Sequence, residues 1–149
     1  DIGSGNGGAV PGDKHTLRVF ENPGNSNNWL NVRLLGVKTN REAVGAQIHL
    51  TVQNGDSGPR SIYRTVGQTS SFGGNPAEQL IGLAQNAHSV TLDIWWPTSK
   101  TTQHFASVEP NQYIEIKEFA PSYTPLKRHP FRLGTRNSPR PVSASHESK

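Results

Sequence analysis

Apolar and polar residues alternate along two neighbouring segments of the chain, which are separated by a polar turn. In the first segment, residues 28–35, Leu, Val and Leu alternate with mostly polar residues. The second segment, residues 46–53, repeats this period, with apolar Ile48, Leu50 and Val52 separated by polar residues. A period of two predicts a β-strand with one buried side and one solvent-facing side. We therefore expect these two strands to form the centre of a β-sheet core.

Further short apolar runs follow, each bounded by Gly, Pro or Asn residues that favour turns. No segment shows the 3.6-residue apolar period of an amphipathic helix. The predicted strands are residues 15–21, 28–35, 46–53, 60–66, 79–83, 89–96, 103–106 and 113–117. This spacing predicts an all-β fold, namely an antiparallel β-sandwich of about eight short strands with extended N- and C-terminal arms. A partly open barrel is the alternative.

The composition divides the chain into a core and two arms. Residues 1–15 are rich in glycine and residues 119–149 are rich in proline and arginine, so we expect extended arms around a β domain at residues 16–118. The net charge of the 149-residue chain is +4. The tail holds six basic residues and one acidic residue, whereas residues 1–118 hold nine basic and ten acidic residues. The basic character therefore belongs to the tail.

Two amino acids are missing from the sequence, which contains no Cys and no Met. Without Cys there is no disulfide, no thiolate nucleophile and no cysteine-bound metal. Without Met, Asp1 is not an initiator residue, and we expect it to be a processed end such as removal of a secretory signal leaves. The sequence also lacks any window of about 18 apolar residues, which predicts that no segment spans a membrane.

Five short motifs occur in order along the predicted strands and turns. They are residues 28–34 (Asn-Trp-Leu-Asn-Val-Arg-Leu), 39–46 (Thr-Asn-Arg-Glu-Ala-Val-Gly-Ala), 81–84 (Ile-Gly-Leu-Ala), 90–97 (Val-Thr-Leu-Asp-Ile-Trp-Trp-Pro) and 111–113 (Asn-Gln-Tyr). This combination resembles the ASPIC and UnbV domain, a β-rich module found after FG-GAP or VCBS propeller repeats in secreted proteins. The resemblance covers roughly residues 16–118. It implies an accessory or adhesive module that is secreted or on the cell surface, extracellular or periplasmic, with no known catalytic residues.

Five residues of these motifs are assigned structural roles. They are Trp29, Gly45, Gly82, Trp96 and Pro97. We expect Gly45 to permit a β-bulge and Pro97 to end its strand, because proline has no N–H to donate. The family usually has Phe-Gly-Leu-Gly where this chain has Ile81 and Ala84 in place of the phenylalanine and the second glycine. This difference concerns the local turn rather than the fold.

Trp95 is the main candidate for a binding contact. It shares the outward phase of its strand with Thr91 and Asp93, whereas Trp96 has the inward phase of the apolar residues. An exposed indole can stack on a sugar ring or contact a protein partner. The alternative is that a returning loop buries Trp95.

Asn40 and Arg41 form the most distinctive polar turn of the sequence. In a functional interpretation, the Arg41 guanidinium binds a carboxylate or a sugar acid in two parallel hydrogen bonds. In a structural interpretation, Asn40 adopts the left-handed conformation and Arg41 pairs with a neighbouring acid. Turn chemistry alone accounts for both residue types, which favours the structural interpretation.

The basic residues of the tail are candidates for partner binding, and they are Lys127, Arg128, Arg132, Arg136 and Arg140. Few aromatic residues lie between them and prolines separate them, so we do not expect nucleic acid as the partner. An extended proline-rich segment is better suited to docking on another protein subunit or on an acidic glycan.

No catalytic or cofactor motif occurs in the sequence. The histidines lack metal-ligand spacing, and the serines lack a Gly-x-Ser-x-Gly context, although the fold can still assemble a Ser-His-Asp triad. We therefore expect no metal, no cofactor and no enzyme, but an extracellular structural module. Its terminal arms would assemble it with other subunits, either copies of itself or a propeller-containing protein. The alternative is a carbohydrate- or protein-binding accessory domain of a secreted multidomain protein, and a hydrolase ranks third.

Overall fold

The computed structural model describes residues 23–53, 58–67, 76–85 and 87–129, together with the backbone of two short strands near the N-terminus. This part of the chain contains ten β-strands and no helix. The strands are β1 (Ile2–Gly3), β2 (Arg18–Val19), β3 (Asn28–Leu35), β4 (Gln47–Gln53), β5 (Pro59–Thr65), β6 (Gln79–Ala84), β7 (Val90–Trp96), β8 (Thr101–Val108), β9 (Gln112–Lys117) and β10 (Thr124–Leu126). No described helix is long and apolar enough to cross a membrane.

Eight of these strands form two four-stranded sheets that share one core. The first, called the β3 sheet, has the order β10-β9-β3-β6, and the second, called the β4 sheet, has the order β5-β4-β7-β8. Strands β1 and β2 form a separate antiparallel pair. The prediction of an all-β sandwich is confirmed, and the sheets do not close into a barrel.

One strand pair departs from the antiparallel pattern that we expected. Strands β3 and β9 run parallel, with Leu30 opposite Gln112 and Leu35 opposite Lys117. Parallel neighbours need a long crossover connection, and here the chain passes through the β4 sheet between the two strands. This pairing is set by the return of a distant segment, so alternation within either strand does not predict it.

The alternating apolar residues of the sequence form the core between the two sheets. Strand β3 contributes Leu30, Val32 and Leu34, and all three side chains are buried. Strand β4 contributes Ile48, Leu50 and Val52 in the same way, and Trp96 of β7 is the largest fully buried side chain. The predicted inward phase of Trp96 is therefore correct.

The β3 sheet continues into the segment that the sequence indicates as the start of the tail. Strand β10 pairs with β9, placing Pro125 opposite Ile114. Because β10 is an edge strand, the missing N–H of Pro125 is tolerated there. Tyr123, just before this strand, packs against the core. The folded domain thus includes residues beyond 118.

Candidate functional site

The outward side of the β4 sheet carries a row of polar and aromatic side chains, one from each strand. The strand register places His49 opposite both Tyr63 and Asp93. It also places Asp93 opposite His104. The outward orientation of each of these residues follows from the period of two, because the residues before and after it face the core or its edge. We call this surface, together with the neighbouring Trp95, the Trp95 face.

The carboxylate of Asp93 lies between two imidazole rings. Its Oδ1 is 2.7 Å from Nδ1 of His104, and its Oδ2 is 3.5 Å from Nδ1 of His49. A carboxylate only accepts hydrogen bonds, so Nδ1 of His104 carries the proton that it donates. The ring of His49 also stacks on Tyr63, with a centroid distance of 4.5 Å and an angle of 10°. These contacts fix the orientation of the row.

Trp95 lies beside this row and remains 38% exposed. It is opposite Gln47 on one neighbouring strand and Thr102 on the other. A shallow cavity of about 170 Å³ connects Trp95 with this polar row. Its lining residues are Gln47, Ile48, His49, Tyr63, Arg64, Thr65, Asp93, Trp95 and Thr102. No described loop buries Trp95, so the indole is an open part of the outward surface.

Three side chains on this face have the connectivity of a catalytic triad. Ser61 Oγ is 3.2 Å from Nε2 of His49, whose other nitrogen faces Asp93. However, the 3.5 Å contact between His49 and Asp93 is longer than a normal hydrogen bond. Ser61 also lies outside the lining of the cavity. The three residues therefore do not form a compact nucleophilic site.

The same row contains two histidines and an aspartate, which are residue types that can bind metal ions. In the described part of the chain, no group of three or more His, Asp or Glu residues can hold a metal ion. Within the row, Nδ1 of His104 donates to Asp93. The row is thus arranged for hydrogen bonding.

The turn that contains Asn40 and Arg41 is closed by the Asn40 side chain. Its Oδ1 accepts a hydrogen bond from the N–H of Val44 at 2.8 Å, and its Nδ2 donates to the Val44 carbonyl at 3.0 Å. Gly45 lies in the turn before β4 and not in the β-bulge that we expected, and its φ of +90° is one that glycine adopts without strain. Arg41 is exposed and makes no ion pair with a described residue. Asn40 is structural through its side chain, but the left-handed residue of this turn is Ala43, with a φ of +53°, and not Asn40 as we expected. Arg41 is the free group of this turn.

A buried carboxylate holds the loop that leads into this turn. Glu118 Oε2 accepts hydrogen bonds from the backbone N–H groups of Val37, Lys38 and Thr39 at 2.7, 2.7 and 2.8 Å. Its Oε1 accepts from the hydroxyls of Thr39 and Ser99 at 2.9 and 2.6 Å. Sequence analysis missed Glu118, although it has the inward phase of the apolar residues in β9 and is only 2% exposed.

This environment changes the acidity of Glu118. Burial acts to raise its pKa because the charged form is desolvated. The hydrogen bonds from Ser99, Thr39 and Val37 outweigh burial and lower the pKa of Glu118 to about 2. The side chain is therefore a carboxylate at neutral pH, and it acts as an anchor for the loop.

Two asparagines of the sequence motifs hold the start of β3. Asn111 donates its N–H to the carbonyl of Trp29 at 2.6 Å and accepts the Trp29 N–H on its Oδ1 at 3.1 Å. Its Nδ2 donates to Oδ1 of Asn28 at 2.7 Å. Asn28 in turn donates to the carbonyls of Gln85 and Ala87. These contacts join the start of β3 to two separate turns, so both asparagines are structural.

The other motif residues occupy different environments. The Trp29 ring meets Tyr113 edge to face at a centroid distance of 4.9 Å. Pro97 lies beside Gly45, where an added Cβ would be 3.5 Å from the proline ring. Gly82 is exposed in β6 and pairs with Trp29. Ala84 has a φ of +68°, the left-handed conformation for which the family motif has glycine.

The basic residues of the predicted tail do not share one environment. Arg128 forms an ion pair with Glu78, and its guanidinium lies 5.6 Å from the ring centroid of Tyr113. Lys127 is exposed and makes no ion pair with a described residue. Arg132, Arg136 and Arg140 lie outside the described residues. Arg128 is thus engaged by its own domain.

Comparison with known proteins identifies the family. A family model described as ASPIC and UnbV matches residues 36–122. The motif at residues 28–34 lies before this match, and the other four motifs lie within it. No curated protein and no solved structure gives a significant match. Because the model covers more than half of the chain, this β-rich accessory domain belongs to the ASPIC and UnbV family.

Proposed function

We propose that the chain is a non-catalytic accessory domain that binds glycans through the Trp95 face. The single observation that supports this most strongly is the arrangement of Trp95 beside the His49–Asp93–His104 row. An apolar ring surface lies next to fixed hydrogen-bonding groups on one open sheet face. This combination matches the two surfaces of a sugar, which has apolar C–H faces and polar hydroxyl edges.

Each part of the face has a chemical role in this proposal. The indole of Trp95 stacks on a sugar ring and contributes buried apolar area. The carboxylate of Asp93 accepts hydrogen bonds from sugar hydroxyls, and the amide of Gln47 donates and accepts them. Tyr63 is 68% exposed and offers a second aromatic surface at the edge of the sheet. Because contacts already orient His49 and His104, little side-chain entropy is lost on binding.

The proposed setting is a secreted or cell-surface protein, in the extracellular space or the periplasm. This part of the proposal is supported by the family, whose members resemble this chain in their motifs and occur in secreted proteins. A surface specialised for glycans is useful in that setting because glycans are abundant outside cells. Secretion of the natural precursor, followed by N-terminal sequencing, tests this assignment.

Binding to an immobilised glycan array tests the function of the Trp95 face. We expect the wild-type chain to bind a subset of glycans, and Trp95→Ala to weaken this binding by about tenfold, equivalent to about 1.4 kcal/mol. Phe119→Ala is the matched control, because Phe119 is an aromatic residue that is 52% exposed outside this face. Equal losses in both variants, or none, would contradict the proposal.

The absence of catalysis needs a separate measurement. We expect the bound glycans to stay intact over a long incubation, as judged by mass spectrometry, and Ser61→Ala to leave binding unchanged. Cleavage or deacylation that depends on Ser61 and His49 would instead establish a hydrolase and would overturn the non-catalytic part of the proposal.

Assembly through the terminal arms stays a prediction. The segment up to Arg128 is held by its own domain through β10 and the ion pair with Glu78. Contacts to another subunit, whether a second copy or a propeller-containing protein, would therefore come from the rest of the tail. That part includes Arg132, Arg136 and Arg140.

A further inference from the structure

A second concave surface lies on the outward side of the β3 sheet. It is bounded by the loop before β3 and by the outward side chains of β3, β6 and β9. We call it the Gly82 groove, and its defining residues are Asn25, Asn27, Trp29, Leu80, Gly82 and Tyr113. Its volume of about 870 Å³ lies within the range of about 300–1,000 Å³ that is typical of ligand sites.

The groove combines apolar and amide groups without ionised side chains. Among the described residues that line it, none is Asp, Glu, Lys, Arg or His. Trp29 and Tyr113 form one wall, and Leu80 is 67% exposed at its edge. Arg128, which lies over Tyr113, is already paired with Glu78. The lining itself thus supplies no charge, and the exposed guanidinium of Arg60 lies at the edge of the groove, with Nη2 3.5 Å from the Gly82 carbonyl.

Two amides of the groove are available to a ligand. Nδ2 of Asn25 and the side-chain amide of Asn27 make no hydrogen bond with a described residue, although Oδ1 of Asn25 accepts the Asn27 N–H at 2.9 Å. Asn28 and Asn111, in contrast, use their amides to hold the start of β3. The loop thus separates structural amides from free ones.

Gly82 is paired with Trp29 on the neighbouring strand, and the space where a side chain would lie is empty. A Cβ added to Gly82 would meet no atom within 4 Å, and its φ lies outside the left-handed region. Neither packing nor backbone geometry requires glycine here, although glycine within a strand costs roughly 0.5–1 kcal/mol relative to alanine. The missing side chain leaves the aromatic wall accessible from the groove.

We infer that the Gly82 groove is a binding site for an uncharged saccharide. The indole and phenol rings suit the C–H faces of a sugar, and the free amides of Asn25 and Asn27 suit its hydroxyls. The lining residues carry no ionised group, and Arg60 lies only at the groove edge beside the Gly82 carbonyl, so most of the polar contacts available suit uncharged hydroxyls. The site lies on the opposite sheet from the Trp95 face, so it does not depend on the function proposed for that face.

The experiment is an NMR titration of the isotope-labelled chain with cellohexaose, maltohexaose and mannohexaose, and with an oligogalacturonate as the acidic comparison. We expect at least one neutral hexasaccharide to shift the Trp29 indole N–H and the side-chain amides of Asn25 and Asn27. Gly82→Val should weaken this binding at least tenfold, because the valine side chain fills the groove. Gly67→Val is the matched control, since a Cβ there also meets no atom within 4 Å and Gly67 lies outside the groove.

The variants separate this site from the Trp95 face and from effects on folding. Trp95→Ala should leave the shifts at Trp29 unchanged. If Gly82→Val lowers the melting temperature, Asn27→Ala on the exposed loop replaces it, and a several-fold loss of affinity is expected. The inference is wrong if no neutral hexasaccharide shifts these signals at millimolar concentration, if binding survives both substitutions, or if only the acidic oligosaccharide or an extended peptide binds.

Discussion

Glu118 holds Thr39 through both oxygens of its carboxylate, accepting the backbone N–H at 2.8 Å and the hydroxyl at 2.9 Å. Thr39 lies in the loop after β3, and Glu118 directly follows β9. These strands are parallel neighbours, so no hairpin connects their ends. The buried carboxylate provides this connection instead, and it fixes the loop that leads to Asn40 and Arg41.

Replacement of Glu118 with Gln tests this role. The amide loses the charge that strengthens five hydrogen bonds, and its NH2 group faces donors instead of acceptors. We expect a loss of about 2–4 kcal/mol in the free energy of unfolding, measured by urea denaturation at neutral pH. Glu115→Gln is the control, because Glu115 faces Arg33 at 3.6 Å on the surface and should change stability by less than about 1 kcal/mol. Similar losses in both variants would contradict the anchoring role.

The same carboxylate predicts a dependence of stability on pH. The pKa of Glu118 is lowered from 4.5 to about 2 in the folded chain, so folding favours the charged form. This stabilisation is complete above pH 4.5 and is lost as the pH falls towards 2, with a total of about 3 kcal/mol. Urea denaturation at a series of pH values should show this loss in the wild type and a smaller one in Glu118→Gln. Parallel curves for the two proteins would show that other groups cause the acid sensitivity.

Ala84 offers a route to higher stability. Its φ of +68° is strained for a residue with a Cβ, and glycine adopts this conformation freely. We expect Ala84→Gly to stabilise the domain by about 0.5–1 kcal/mol, after allowance for the greater entropy of glycine in the unfolded chain. Thermal and chemical denaturation measure the change. Ala46→Gly, just before β4, is the control, and it should destabilise the domain because Ala46 has no positive φ and its buried methyl group would be lost.

Features of the fold that depend only on residues close together along the chain are predictable from the sequence. Alternation places Leu30 and Ile48 in the core, and it places Trp95 outward and Trp96 inward. These assignments depend only on the period of two within one strand. The same period of two places Glu118 inward, after Ile114 and Ile116. Burial of Glu118 is nevertheless not expected from the sequence, because an acidic residue at an inward position usually indicates that the strand has ended.

Contacts between distant segments are not predictable in this way. The row of His49, Asp93 and His104 exists only because the register aligns three strands. Alternation does not specify the register between β4 and β7, which β5 and β6 separate along the chain. Strand β10 was also missed, because Pro125 is a signal against a strand and only its edge position makes it acceptable. The outward phase of Trp95 therefore predicts the correct face of its strand from the sequence. The residues that lie beside Trp95 on that face are known only from the folded structure.

The extent of the folded domain changes how assembly through the tail should be measured. Removal of residues 119–149 deletes β10 and Tyr123, which packs on the core, so unfolding would obscure any change in mass. Removal of residues 130–149 leaves these contacts and the Arg128–Glu78 ion pair in place. If the tail assembles subunits, light scattering should give the intact chain a multiple of its 16.2 kDa mass and give the chain of residues 1–129 the mass of a monomer. High salt should also dissociate the intact assembly if Arg132, Arg136 and Arg140 bind acidic groups. A monomeric intact chain would exclude self-assembly through the tail and leave the two sheet faces as the binding surfaces of the domain.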